Sequence, residues 1–311
     1  MLNKNQILQR IREVLNEEQI HIDAPMKKYT TFKIGGPADI LVKPKTEGEL
    51  SSILKICAKE QLPYYIIGNG SNLLVSDDGY RGIIIQLYRQ FEDISVESNI
   101  ICAKSGALLS KIATIALKEQ LTGLEFAHGI PGTLGGGVMM NAGAYGGELK
   151  DVIVSCKVMT KEGDILVLSN EELNLGYRTS IVEKKGYVVL EATLKLEKGK
   201  EEDILNKMKD YSNRRKEKQP LDKPSAGSTF KRPEGHFAGK LIMDSELRGF
   251  QVGGARVSDK HCGFVVNEEE ATAKDVINLI KEVQKTVKNK YEVMLEPEVK
   301  MLGFKDIYTR E

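Results

Sequence analysis

The chemistry of this 311-residue chain is concentrated first in a run of glycines, AHGIPGTLGGGVMMNAGAYGGEL, residues 127–149. Eight of the 29 glycines lie there, with Thr133, Asn141, Ala142 and Ala144 as small or amide-bearing companions, so the run is built for close approach. Backbone that lacks Cβ can lie against a ligand and adopt positive φ. Successive N–H groups in turns form concave anion sites, and a diphosphate is the natural guest. A flexible linker would be rich in Ser and charge. Here Ile130, Leu134, Val138, Met139 and Met140 interrupt the glycines and require burial. A second loop, GNGSN at 68–72, follows four apolar strand formers, Tyr64, Tyr65, Ile66 and Ile67. It is not a Rossmann fingerprint, because Leu73 stands where the third glycine of G-x-G-x-x-G belongs. No phosphate-loop pattern G-x-x-x-x-G-K-[ST] occurs either; residues 235–240 have the wrong spacing and Leu241 follows the lysine. Both common nucleotide folds are thereby disfavoured.

Other chemistries find less support. Cys57, Cys102, Cys156 and Cys262 are scattered with no C-x-x-C pair, and with only four histidines no metal framework is recognisable. Free thiols suit a reducing cytoplasm. A formal net charge of +1 gives no global field that would favour nucleic acid or an anionic membrane. Hydrophobic content of 41% and charged content of 29% fit a soluble globular enzyme. The opening residues place Ile7, Ile11, Val14 and Leu15 at helical spacing between charges, which is an amphipathic helix and not a signal peptide. No apolar run approaches the roughly 18 residues of a membrane helix. A cytoplasmic enzyme is expected.

The elements that must position the glycine loops are legible in outline. Tyr29 to Phe32 favour strand, Gly35-Gly36-Pro37 forces a turn, and residues 38–42 read as a second short strand. Residues 46–61 form a helix capped by Thr46, with Glu49 three positions on and Leu50, Ile53, Leu54 and Cys57 on one face. Residues 82–87 are a buried strand and 94–103 an alternating one. The stretch 106–120 is an apolar-faced helix that delivers the chain into the glycine run. Beyond Leu149 the pattern becomes antiparallel sheet: 152–160 and 165–168 flank the turn KEGD, and 187–196 is a further strand. The charged helix 201–218, ending before Pro220, is the best boundary between a cofactor half and a smaller unit. That unit holds a helix at 272–289, with Val276, Leu279, Ile280, Val283 and Val287 on one face, and closes with an apparent strand in 291–304.

The two glycine loops resemble the diphosphate cradles of the vanillyl-alcohol-oxidase (PCMH) type of FAD domain. Together with GYR at 176–178, AGSTFKRP at 226–233, HFAGKLI at 236–242 and LEPEVKMLG at 295–303, they narrow the match further. The chain resembles the UDP-N-acetylenolpyruvoylglucosamine reductase (MurB) family over residues 29–303. The longer branch of that family carries an extra loop with a substrate-binding tyrosine. No insertion for it lies between 187 and 225, so the shorter branch is the better match.

The resemblance implies an α+β chain: a two-part PCMH-type FAD-binding domain, subdomains 1–88 and 89–203, then a smaller α+β substrate-binding domain, 204–311. Its final strand is free to return toward the FAD domain. The implied reaction is NADPH-dependent, FAD-mediated reduction of UDP-N-acetylglucosamine enolpyruvate to UDP-N-acetylmuramate, for peptidoglycan precursor synthesis. Hydride passes from flavin N5 to the enolpyruvyl terminal carbon, and Ser228 protonates the resulting enediolate. Arg178 and Glu298 are implied at the substrate carboxylate. An unprotonated Glu298 would repel that carboxylate unless the arginine bridged the two, so a raised pKa is expected. Implied FAD contacts are Gly68, Asn69, Gly70, Ser71 and Asn72 at the diphosphate, with Ile130, Pro131, Gly132, Thr133, Gly135, Gly136 and Ala142 along diphosphate and isoalloxazine edge. Lys231, Lys240, Arg256 and His261 are the candidates for the UDP-sugar. The TFKIGG stretch, 31–36, is assigned no cofactor contact, and neither metal, membrane, nucleic acid nor obligate protein partner is expected.

Taken singly, these residues read more plainly. A serine after glycine is ordinarily a turn residue, a Tyr-Arg pair ends a surface strand, and His261 is a satisfied polar group. Glu296 competes with Glu298, because the two share a face of an unbroken strand. Two other functions fit the glycine loops: an FAD-dependent oxidase of a sugar alcohol on the same fold, and a nucleotide-binding protein without turnover.

Overall fold

The computed structural model describes residues 4–304, an α+β chain in two compact units. One unit takes the residues up to 22 together with 40–69 and 82–214; the other takes 23–39, 70–81 and the residues from 215 onward. The cut falls inside the helix Glu201–Lys218.

The first unit has two cores. In one, a five-stranded antiparallel sheet runs in the order Ile165–Ser169, Ile153–Met159, Val188–Lys195, Ile100–Lys104, Ile94–Glu97. The helix Leu109–Lys118 buries Leu109, Ile112, Ala113 and Ala116 in the same cluster as sheet residues Ile101, Cys156 and Leu194. That spacing gives one apolar stripe. In the other core the helix Glu47–Lys59 buries Leu50, Ile53, Leu54 and Cys57 with Leu8, Ile11, Ile83 and Ile85. Thr46 caps the helix by accepting the Glu49 N–H, while the Glu49 carboxylate takes the Lys45 N–H. The strand Tyr64–Ile67 lies parallel to residues 83–86. Burial pushes the thiols of Cys57 and Cys156 up to about 12, so both are inert packing groups.

In the second unit a four-stranded antiparallel sheet runs Ser225–Ser228, Phe264–Asn267, Ala255–Val257, Gln251–Val252. The helix Ala273–Tyr291 buries Val276, Leu279, Ile280, Val283 and Val287 in the core that also holds Ala255, Val257 and Val265. Its first turn is closed from outside: the Asp77 carboxylate accepts the N–H groups of Ala273 (2.8 Å) and Lys274 (3.0 Å). Two orphan donors are thus satisfied by one side chain. The short strand Lys300–Leu302 pairs in parallel with Leu73–Val75.

Several sequence expectations require correction. Residues 29–32 are not a strand; a 3-10 turn, Met26–Lys28, leads into a loop in which the Thr30 hydroxyl donates to the Ile34 carbonyl and Lys33 has φ +56°. Residues 94–103 are two strands, Ile94–Glu97 and Ile100–Lys104, reversing at Ser98 with φ +58°. The 106–120 helix starts only at Leu109. Residues 291–304 hold strand geometry only at Lys300–Leu302, with an isolated bridge between Phe230 and Pro297. Inside the glycine run, Leu134–Met139 forms a short helix despite three successive glycines. Buried Leu134 and Val138 anchor it in the core, and packing overrides propensity.

Just before that run, Glu125 is 3% exposed. Its carboxylate accepts the Thr122 hydroxyl (2.6 Å) and the Gly123 N–H (3.0 Å), with Lys207 Nζ at 3.6 Å. Burial pushes its pKa up, but those bonds and the lysine more than offset it and hold the group below the ordinary carboxylate value. A depressed folded pKa gives stability that is present above the unfolded value of about 4.3 and lost as pH falls through the folded one. Glu125→Gln is expected to lower stability at pH 7 by about 1–3 kcal/mol. Chemical denaturation of the variant should show less loss than wild type between pH 5 and pH 3, a window of about two units around that unfolded value.

Candidate functional site

The glycine run is held by backbone bonds to the strand–helix junction before it. Leu109 N–H donates to Gly132 O (3.1 Å), Leu134 N–H to Ala107 O (2.8 Å) and Gly135 N–H to Ser105 O (2.8 Å). This pairing is why the helix 109–118 starts late. It lays residues 132–135 along 105–109 and leaves the N–H groups of Gly132 and Thr133 with no backbone acceptor among the described residues.

In the same unit, Gly68 and Asn69 close against this segment. Asn69 Nδ2 donates to Pro131 O at 2.7 Å, and a Cβ on Gly68 would collide with the Thr133 side chain. The sequence reading gave the glycines to a ligand; at Gly68 the close neighbour is protein. Gly136 differs, since a Cβ there would meet only Thr133 Oγ1, at 3.8 Å. Ala142 is buried, and Ile130 packs beside the core.

In the second unit, Gly70 has φ +64° and backs onto the Tyr29 carbonyl. The N–H groups of Gly70 and Ser71 have no backbone acceptor among the described residues. Donors of this kind on bare backbone fit the diphosphate of FAD. Asn72 is engaged elsewhere: its Nδ2 donates to Glu298 O (3.2 Å), and its own carbonyl accepts the Lys300 N–H (3.1 Å).

The second unit brings Ser228 and Glu298 to neighbouring backbone. Glu298 N–H donates to the carbonyl of Thr229, the residue after Ser228, at 2.8 Å. Buried Thr229 is pinned twice more, by its N–H to Gly263 O (2.8 Å) and by its Oγ1 accepting the Val265 N–H (3.0 Å). Ser228 ends its strand opposite Phe264, exposed, after an irregular register in which Gly227 has φ +78°. The two competing glutamates separate here. Glu296 is exposed and ion-paired with Lys231, whereas Glu298 is half-buried with its backbone bonded on both sides.

Arg178 lies in the first unit, half-buried, on a tight turn between Gly176 and Thr179, with φ +55°. Its Nη2 donates to Gly143 O at 3.5 Å, and its guanidinium carbon lies 5.3 Å from the centre of the Tyr177 ring.

Of the remaining candidates, Lys240 pairs with Asp244 (2.7 Å) one helical turn on, and is mostly exposed. Arg256 pairs with Asp259 (2.7 Å) while its buried Nε has no hydrogen-bond partner among the described residues. It lines a cavity of about 420 Å³ with Lys216, Ser258 and Lys260. His261 lies edge-on to Phe264 and accepts the Gly263 N–H on Nδ1 (3.1 Å); burial lowers its pKa and favours the neutral ring that this bond needs. Among the described residues no cluster of three or more His, Cys, Asp or Glu is placed to hold a metal, and no helix is long and apolar enough to cross a membrane.

Sequence reasoning noted Asn141 only as an amide in the glycine run and passed over Ser180; both are buried and bonded across to the turn and the glycine run. The available signal was Ser180 three residues before Glu183, a helix cap.

Comparison with known proteins agrees with this layout. The model of an FAD binding domain matches residues 38–169, and that of the C-terminal domain of UDP-N-acetylenolpyruvoylglucosamine reductase matches residues 219–302. Proteins named UDP-N-acetylenolpyruvoylglucosamine reductase are similar over nearly the whole length. That of Lachnoclostridium phytofermentans is 53% identical, covering 97% of this chain and 98% of its own. That of Clostridioides difficile is 51% identical, covering 97% and 99%. The crystal structure of the enzyme so named from Thermus caldophilus superposes with a TM-score of 0.78 at 37% identity, covering 91% of this chain and 98% of that one.

The glycines offer a test that separates folding from cofactor binding. Gly70→Ala puts a Cβ into the left-handed region against a backbone carbonyl, so the apoprotein should lose at least about 1 kcal/mol. Gly136→Ala has room and should leave apoprotein melting unchanged or raised, yet weaken FAD at least ~10-fold, about 1.4 kcal/mol. Apoprotein melting curves and a flavin fluorescence titration check both.

Proposed function

The chain belongs to the UDP-N-acetylenolpyruvoylglucosamine reductase family and is an FAD-dependent oxidoreductase, and from that membership we propose how its residues divide the work. It reduces UDP-N-acetylglucosamine enolpyruvate to UDP-N-acetylmuramate with electrons from NADPH, as a cytoplasmic enzyme of cell-wall precursor synthesis. It needs no metal, membrane, nucleic acid or obligate protein partner. Residues 1–88 and 89–203 serve FAD and 204–311 the substrate.

FAD would be held by Gly68, Asn69, Gly70, Ser71 and Asn72 at the diphosphate, and by Ile130, Pro131, Gly132, Thr133, Gly135, Gly136 and Ala142 beside it. The chemistry it supplies when bound is two-electron hydride transfer, taken from NADPH and given to the terminal enolpyruvyl carbon. The protein must then manage charge and a proton. Hydride addition to an enol ether pushes an electron pair toward the adjacent carboxylate. Arg178 offers that group a fixed, permanently charged fork. Stabilisation of this sort, directed at charge that develops only in the transition state, is worth about 3 kcal/mol. Glu298, protonated or bridged by Arg178, holds the other side of the same carboxylate. Ser228 gives its hydroxyl proton to the carbanion-like carbon, a strong base for which a weak, well-placed acid suffices. Lys231, Lys240, Arg256 and His261 serve the uridine diphosphate. Arg256 is best suited, since its buried Nε lacks a hydrogen-bond partner among the described residues, beside a cavity of about 420 Å³.

The observation that carries this reading is the bond from Glu298 N–H to the Thr229 carbonyl, 2.8 Å. It ties the backbone of the carboxyl-bearing residue to that of the residue next to the serine. Ser228→Ala should leave the rate at which NADPH bleaches the flavin within about twofold, while reoxidation by the enolpyruvyl substrate slows at least ~100-fold. Stopped-flow absorbance separates the steps; equal slowing of both would rule out a proton donor at this position.

A further inference from the structure

We propose that Asn141 and Ser180 are positioning residues for Arg178, fastening the turn that carries its guanidinium to the glycine run. The inference rests on the role given to Arg178 above.

A two-residue turn such as Tyr177-Arg178 has little to hold it. Its frame is one pair of bonds, Gly176 N–H to Thr179 O (3.1 Å) and Thr179 N–H to Gly176 O (3.3 Å). Tyr177 is 54% exposed. Arg178 sits at φ +55°, a region unfavourable to a residue with a Cβ. Such a conformation persists where the surroundings over-determine it.

Here three side chains, Asn141, Ser180 and Arg178, bond across between the turn and the glycine run. Asn141, 1% exposed, donates from Nδ2 to Gly176 O at 3.2 Å and accepts the Lys150 N–H on Oδ1 at 3.0 Å. Ser180, 0% exposed, donates to Met139 O at 2.6 Å and accepts the Glu183 N–H at 3.4 Å. Arg178 Nη2 reaches Gly143 O at 3.5 Å. Residues 139, 141 and 143 therefore meet residues 180, 176 and 178, alternate positions on both segments. These are side-chain-to-backbone bonds, and no backbone pairing joins the two segments among the described residues. Neither buried group earns its place by packing, because polar groups bury at a cost unless they are paired. The two points of attachment, Gly176 and Ser180, lie two residues to either side of the arginine.

A residue that only stabilised the fold would weaken every step alike. A positioning residue for Arg178 affects the step that needs the fork. In the holoenzyme, Asn141→Asp keeps the acceptor for Lys150 and removes the donor to Gly176. It is expected to slow reoxidation by UDP-N-acetylglucosamine enolpyruvate about 10–100-fold, the range that an ångström of misplacement produces. Flavin reduction by NADPH and the dissociation constant for FAD should stay within about twofold, well inside that range. Ser180→Ala should act in the same direction, and Ser180→Thr, which keeps the hydroxyl, should restore the rate. On an Arg178→Lys background, with no fork to place, Asn141→Asp should add almost nothing. Equal slowing of both half-reactions, or a full multiplicative effect on that background, overturns the proposal. If Asn141→Asp does not fold, the Ser180 pair decides by the same readouts. If Arg178→Lys alone leaves reoxidation unchanged, the role of Arg178 itself falls; if Arg178→Lys slows it and the Asn141 and Ser180 variants do not, only the positioning role falls.

Discussion

A glycine-rich segment has few side chains with which to hold itself still, so its place depends on what its backbone is bonded to. In this chain that is the junction 105–109, whose carbonyls at Ser105 and Ala107 take the N–H groups of Gly135 and Leu134. Buried backbone groups cost free energy unless paired. This pairing therefore fixes the path of residues 132–135 and decides which N–H groups are left for a ligand. The late start of the helix Leu109–Lys118, the burial of Leu134 and Val138, and the contact between Gly68 and Thr133 follow from it.

The second unit solves a related problem with a different device. Its edge strand ends at Ser228, and the backbone of Glu298 is held by the Thr229 carbonyl on one side and the Asn72 side-chain amide on the other. Asn72 belongs to the loop whose composition suggested a phosphate cradle, yet its amide is committed to the chain that carries the glutamate. One residue of a glycine loop thus serves the placement of a glutamate.

How much of this was visible beforehand depends on whether the physics was local. The capped helices at 46 and 272 were legible because a hydroxyl three residues before an acid, followed by an apolar stripe, specifies a helix from within its own sequence. The loops around Gly68 and Gly135 stand out by composition, whereas the roles proposed for Arg178, Ser228 and Glu298 come only from family resemblance. Residues 29–32 misled because β-branched and aromatic side chains favour strands only when a partner strand exists; here the Thr30 hydroxyl closes a turn on Ile34 instead. Alternation could not separate Glu296 from Glu298, and the ion pair that distinguishes their surroundings joins Glu296 to Lys231, sixty-five residues away. The bonds that Asn141 and Ser180 make across were invisible for the same reason: their partners lie in another segment.

The parallel pairing of Lys300–Leu302 with Leu73–Val75 has a bearing on how the molecule comes to exist. The second unit is assembled from three stretches separated by long excursions of chain, and its last ladder joins residues more than two hundred positions apart. During synthesis the segment 70–81 is made early and must wait, its strand edge unmatched, until residue 302 has left the ribosome. Pairings so distant in sequence are slow to form because the intervening loop must close first. An unmatched edge is also a template for the wrong partner. In the interval the first unit can fold from residues already made, so the order of translation favours completing one half before the other can begin to close.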